Sequence, residues 1–266
     1  MLCPLVAVEL WQTQVAFGIG LLGVYIGWRG VISKMTGFYD LAGAVKYLLY
    51  GLVSGMLLAM AVDRIILPAI ILSSLNIISV SIVALLIGAA EAAFVMFLVA
   101  RPRVVALRGS PPYGWALGLG IGSMQASYLI YRLFDEQLQS EYSGVNAVSV
   151  TLAFAISITS VLGHALPASW QGAMVLESSR IRPFLLSSIA RAALIVCLVL
   201  SLFVPLLLLA ALPAIALAWG LAQRVWLPSG MTPAAKQAFR RTTRQSDKHR
   251  KASDERVAGT PVDSEE

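Results

Sequence analysis

Charge is what this chain has least of. Of its 266 residues only 13% are Asp, Glu, Lys or Arg, against 58% apolar, and a soluble domain of this length carries about twice that charge. The shortage excludes an ordinary soluble globular chain and implies an integral membrane protein, in keeping with a mean hydropathy of +0.78. Ten-residue alternating strands separated by turn signals are also missing, which excludes an outer-membrane barrel. Cysteine and histidine are scarce, with 2 of each. Cys3 and Cys197 lie far apart, one near the terminus and one in an apolar run, and are read as unpaired. His164 is the only histidine within an apolar stretch and has no cluster of Asp, Glu or Cys beside it, so no metal and no other cofactor is expected. The last apolar stretch holds no lysine, which excludes a retinal Schiff base. The glycines of GLGIGS fall inside an apolar stretch rather than in a phosphate-binding loop. The opening MLCPLVAVELWQTQ lacks a basic leading segment and is not read as a cleavable signal.

What the chain does have is long apolar runs. Seven are expected to cross a bilayer: Val15–Ser33, Ala44–Val62, Ile77–Ala100, Tyr113–Leu133, Ala147–Leu166, Phe184–Phe203 and Leu206–Trp226. Each approaches the roughly 20 residues a spanning helix needs. Residues 65–76 (IILPAIILSSLN) are too short to cross and contain Pro68. They are expected to be re-entrant, interfacial, or an extension of the third helix. Lysine and arginine support seven crossings. Lys34 and Lys46, then Arg101, Arg103 and Arg108, then Arg180 and Arg182, and finally the run from Lys236 to Lys251 all fall on one side. That side is expected to be cytoplasmic, with the N-terminus out, the C-terminus in, and the protein multi-pass in the cell membrane.

Two domains follow: an all-α transmembrane domain over residues 1–228 and a polar tail over residues 229–266. The tail is rich in charge and poor in aromatics, so it is expected to be disordered. Its basic first half suits the anionic headgroups of the inner leaflet, and the net charge of +6 is explained by topology rather than by nucleic acid.

Against this apolar background three polar side chains carry chemistry. Glu91 is the only carboxylate in the run from Ile77 to Ala100, where an ionisable group costs about 2.5–3.5 kcal/mol to insert. It lies about 10 residues from Arg101, roughly 15 Å of helix, in the cytoplasmic half of the membrane. Gln125 lies at similar depth in the fourth span, and His164 lies near the cytoplasmic end of the fifth. An acid, an amide and an imidazole on three helices are thus expected to meet, Glu91 and His164 facing one hydrated cavity open to the cytoplasm. For each, a plain hydrogen-bonding role between helices, or for His164 an interfacial one, stays open. Arg191 is expected to reach back to the cytoplasmic surface, with pairing to Glu91 as the alternative. Gly114, Gly118 and Gly122 share one helical face with Gly120 beside them, and Gly88, Ala89, Ala92 and Ala93 surround Glu91. These small residues are expected to pack the third span against the fourth, with Glu91 and Gln125 at their contact.

The order of these elements resembles the PrsW-type intramembrane proteases, within the wider clan of glutamic membrane proteases that includes the CAAX prenyl proteases. Such proteins carry a Glu-Glu-x-x-Lys/Arg element on one helix, then a Gly-rich helix with a further acid, then a helix supplying histidine. Here Glu91 stands where the first element begins, GWALGLGIGSMQASYLIY resembles the Gly-rich helix, and VLGHALPASWQGAM resembles the histidine helix. The resemblance covers roughly residues 77–178. It implies a glutamate that activates water against a peptide bond in a single-span membrane protein, with Glu91, Gln125 and His164 as the catalytic positions. Two departures stand out: the second glutamate is Ala92 and the acid of the Gly-rich helix is Gln125. An amide is no general base, so a non-proteolytic member stands beside an active one. A proton-coupled transporter of small molecules or ions, and a structural subunit of a membrane complex, also stay open.

Overall fold

The structure is a computed structural model and describes residues 8–35, 37–71, 77–138 and 140–257. All regular structure among these residues is helical. Helix α1 (Leu10–Gly27) continues through a π-helical turn to Met35. Helix α2 (Leu41–Ala61) is capped by Asp40, whose carboxylate accepts from the backbone N–H groups of Ala42 and Gly43. This is the satisfaction that the open end of a helix requires. A second π-helical turn, Val62–Ile66, leads directly into the short α3 (Leu67–Ile71). The segment around Pro68 therefore prolongs the second span rather than the third, while residues 72–76 lie outside the described residues. Helices α4 (Ile77–Val99), α5 (Pro102–Ala106), α6 (Ser110–Phe134), α7 (Ala147–Leu176), α8 (Ile181–Leu200) and α9 (Leu207–Leu221) follow.

Among the described residues, six helical stretches are long and apolar enough to cross a membrane: Leu10–Met35, Leu41–Ile71, Ile78–Val99, Ala147–Leu176, Ile181–Leu200 and Leu207–Gly230. Together they support an integral membrane protein. Their outward faces carry exposed Val53, Leu57, Ile82, Leu86, Leu185 and Ile189, an apolar exterior that suits lipid and not water. Helix α6 is absent from the six because its sequence is diluted with Gly, Ser and Gln, and its place in the fold explains this. Every residue from Ser110 to Ser123 is buried, with α1, α2 and α7 packed around the helix.

Backbone approach, rather than bulk, builds this centre. Gly114, Gly118 and Gly122 face α7, where a methyl group on Gly118 would lie 2.5 Å from the Ala165 Cα and 2.6 Å from the His164 carbonyl oxygen. Gly120 meets Gly51 on α2 instead. The glycine stripe thus packs α6 on α7, not on the helix of Glu91, as had been expected. Helix α4 lies chiefly against α8. Serine hydroxyls reinforce these contacts: Ser157 donates to the Ile19 carbonyl at 2.9 Å and Ser160 to that of Gly122 at 2.8 Å. Such links between membrane helices contribute about 0.6 kcal/mol each.

Two further expectations need correction. The fifth span does not stop at Leu166, because α7 runs on through Pro167 to Leu176. Of the region 229–266, expected to be disordered, the described part forms a short 3₁₀ turn ending at Gly230 and then helix α10 (Pro233–Val257), and residues 258–266 lie outside the described residues. Proline in the first turn and a run of Ala, Lys, Gln and Arg favour that helix. Phe239 anchors it to the bundle, its ring edge-on to Phe38 with centroids 5.6 Å apart.

Candidate functional site

Four polar residues, Glu91, His164, Gln171 and Arg191, gather where α4, α7 and α8 meet. Glu91 sits on α4 amid Gly88, Ala92 and Ala93, side chains too small to keep a neighbouring helix away. A methyl group on Gly88 would fall 2.7 Å from the Ser188 carbonyl oxygen and 2.9 Å from the Ala192 nitrogen. The absence of that group lets α8 press against α4 and brings Arg191 onto Glu91. On the other side, Gly118 lets α6 lie directly beneath the backbone of His164.

The result is a connected cluster of four side chains. The Arg191 Nε donates to Glu91 Oε1 at 2.7 Å, and the same oxygen lies 2.8 Å from His164 Nδ1. Arg191 Nη1 donates to Gln171 Oε1 at 2.9 Å, and Gln171 Nε2 donates to the Ala92 carbonyl at 3.1 Å. Glu91 is 1% exposed, and His164, Gln171 and Arg191 are 0% exposed. A guanidinium stays protonated in proteins, so the carboxylate faces a fixed cation. With a carboxylate as its partner, His164 Nδ1 carries the hydrogen and donates. The imidazole is thereby oriented with Nε2 as its free atom. His164 Nε2 and Arg191 Nη2 are both buried and have no hydrogen-bond partner among the described residues.

Of the expected site residues, the structure brings Glu91 and His164 into direct contact. They meet inside packed protein, at 1% and 0% exposure, rather than on the wall of a hydrated cavity open to the cytoplasm as expected. Gln125 does not join them. It borders a cavity of about 10 Å³ with Asp63, Tyr128 and Arg132, room for about one water, and neither amide atom of Gln125 has a partner among the described residues. Beside it, Arg132 binds the buried Asp63 through Nη2 at 2.8 Å and through Nε as well, a two-point clasp that ties α6 to the end of α2. Arg191 does not reach the cytoplasmic surface; a cation within reach of a buried carboxylate is better satisfied there.

Gln171 was missed by sequence reasoning. Its signal was hidden by Pro167, which marks a helix end in most contexts and placed Gln171 beyond the fifth span. In α7 the proline is tolerated, as membrane helices often allow, and one further turn carries Gln171 to Arg191.

Compared with family models, with curated proteins and with solved structures, the chain matches none of them.

Proposed function

We propose that this is a multi-pass membrane protein on a PrsW-like plan in which Glu91 serves as the anion of a buried charge cluster, not as the base of a peptidase. One observation carries the reading: the same carboxylate oxygen is held by Arg191 at 2.7 Å and by His164 at 2.8 Å. A general base must reach the proton it removes, directly or through one water. Here Oε1 already accepts from two donors, the side chain is 1% exposed, and Ala92 and Gln125 stand where the family resemblance implies further acids. The protein reconstituted in liposomes with a panel of single-span substrates therefore leaves them uncut. Cleavage that vanishes in Glu91→Gln would falsify this reading. Activity restored only by Ala92→Glu with Gln125→Glu supports a decayed protease.

A second reading, proton-coupled transport, draws on the two unpartnered atoms of the cluster, His164 Nε2 and Arg191 Nη2. A carboxylate-oriented imidazole with a free Nε2 is equipped to take and release a proton. Proton uptake into liposomes that is abolished by His164→Gln favours it; proton flux unchanged by that substitution removes it.

The topology we propose has seven crossings, with the N-terminus out and the C-terminus in. Helix α6 supplies the seventh: its 25 residues extend about 37 Å, beyond the roughly 30 Å of a hydrocarbon core. Its burial inside the bundle relieves it of the need to be apolar throughout.

A further inference from the structure

We propose that a basic groove between the turn after α9 and helix α10 binds the headgroup of an anionic phospholipid. The groove, of about 620 Å³, is lined by Lys34, Arg224, Lys236, Arg240 and Arg244, together with Phe239. No carboxylate lines it, and none of the five cations forms an ion pair among the described residues. Five like charges around one hollow repel one another unless an anion is present. Three chain segments converge to make this hollow: the end of the α1 stretch, the turn after α9, and the first half of α10. The Phe38–Phe239 contact holds α10 over it.

The groove's surroundings identify the anion as a lipid rather than a soluble phosphate. Val225, which lines the groove, is 55% exposed, and Leu221 and Leu217 before it are 51% and 74% exposed. At four-residue spacing these side chains form one outward stripe from α9 into the π-helical turn Ala222–Trp226. A headgroup held by the cations thus has an apolar track ready for its acyl chains. Trp219 and Trp226 sit at the same end of α9, packed on Trp115 and Trp170, and tryptophan marks the level of the headgroups. This inference holds whether or not the protein cleaves anything.

The test uses the full-length protein purified in a neutral detergent and presented with equal amounts of phosphatidylglycerol and phosphatidylcholine. Native mass spectrometry counts the lipids retained. The unmodified chain is expected to keep one phosphatidylglycerol in preference to phosphatidylcholine, and to lose it as salt is raised. The triple variant Lys236→Gln, Arg240→Gln, Arg244→Gln weakens that retention on the order of a hundredfold, from the attraction each cation supplies near an anionic surface. A control with the same loss of charge outside the groove, Arg241→Gln, Lys248→Gln, Lys251→Gln, retains the lipid. Circular dichroism checks that both variants are folded, and the salt series on the unmodified chain tests the claim without any variant. Equal retention of phosphatidylcholine, equal loss in the control, or full displacement by inorganic phosphate would each overturn the proposal.

Discussion

A single buried oxygen, Glu91 Oε1, takes hydrogen bonds from two helices, and the stability of the junction rests on it. Removing one partner of a buried ion pair leaves an uncompensated charge and costs about 3–5 kcal/mol, whereas replacing both is close to neutral. Arg191→Met is therefore expected to destabilise the protein by roughly that amount, measured by unfolding in mixed micelles. Glu91→Gln combined with Arg191→Met recovers most of the loss. If the double variant is as unstable as the sum of the single ones, the pair is not coupled and the cluster has been misread. Gln171 acts on the same arginine through Nη1, so Gln171→Leu is expected to cost about 1–3 kcal/mol by leaving a buried donor unsatisfied.

Between elements, contact depends on missing side chains. Gly118 admits α7 to within 2.5 Å of where a methyl would sit, while Gly18 on α1 faces open space. Gly118→Ala is expected to lose about 1–3 kcal/mol by overpacking and to shift His164 relative to Glu91. Gly18→Ala should be neutral or slightly stabilising, since alanine is the better helix former. Equal melting temperatures for the two variants would refute a tight α6–α7 seam. The partnership of α4 with α8 was not readable from the chain, because Gly88 and its alanines suit any close neighbour. Only the position of Ser188 and Ala192 against Gly88 identifies which helix arrived there.

At the scale of the whole molecule, the arrangement of cations around the spans bears on orientation. With native cysteines replaced, Glu141→Cys is expected to react with a membrane-impermeant label in intact cells, and Leu107→Cys is not. Both positions are exposed, so a silent site reflects the membrane and not burial. The reverse pattern inverts the topology and moves the basic groove to the outer face, where an anionic leaflet is a poorer match.

The sequence alone determined the membrane class and most of the spans, and it singled out Glu91 and His164, which the structure brings into contact. An apolar run declares its environment by composition, and a lone ionisable group within it stands out by its insertion cost. The glycine stripe of α6 announced close helix packing, but not that α7 would be its neighbour. Tertiary structure decided the partners. Arg191 paired with Glu91 instead of reaching water, Gln171 entered through a helix that ignored its proline, and Gln125 was turned toward Asp63 and Arg132. It also folded the basic region into α10 and brought its cations together with Lys34 and Arg224, distant in the chain. The reason is physical: in lipid, apolar faces do not choose among neighbours by hydrophobicity. Close packing and the pairing of buried polar groups make that choice, and both depend on three-dimensional fit between segments far apart in sequence.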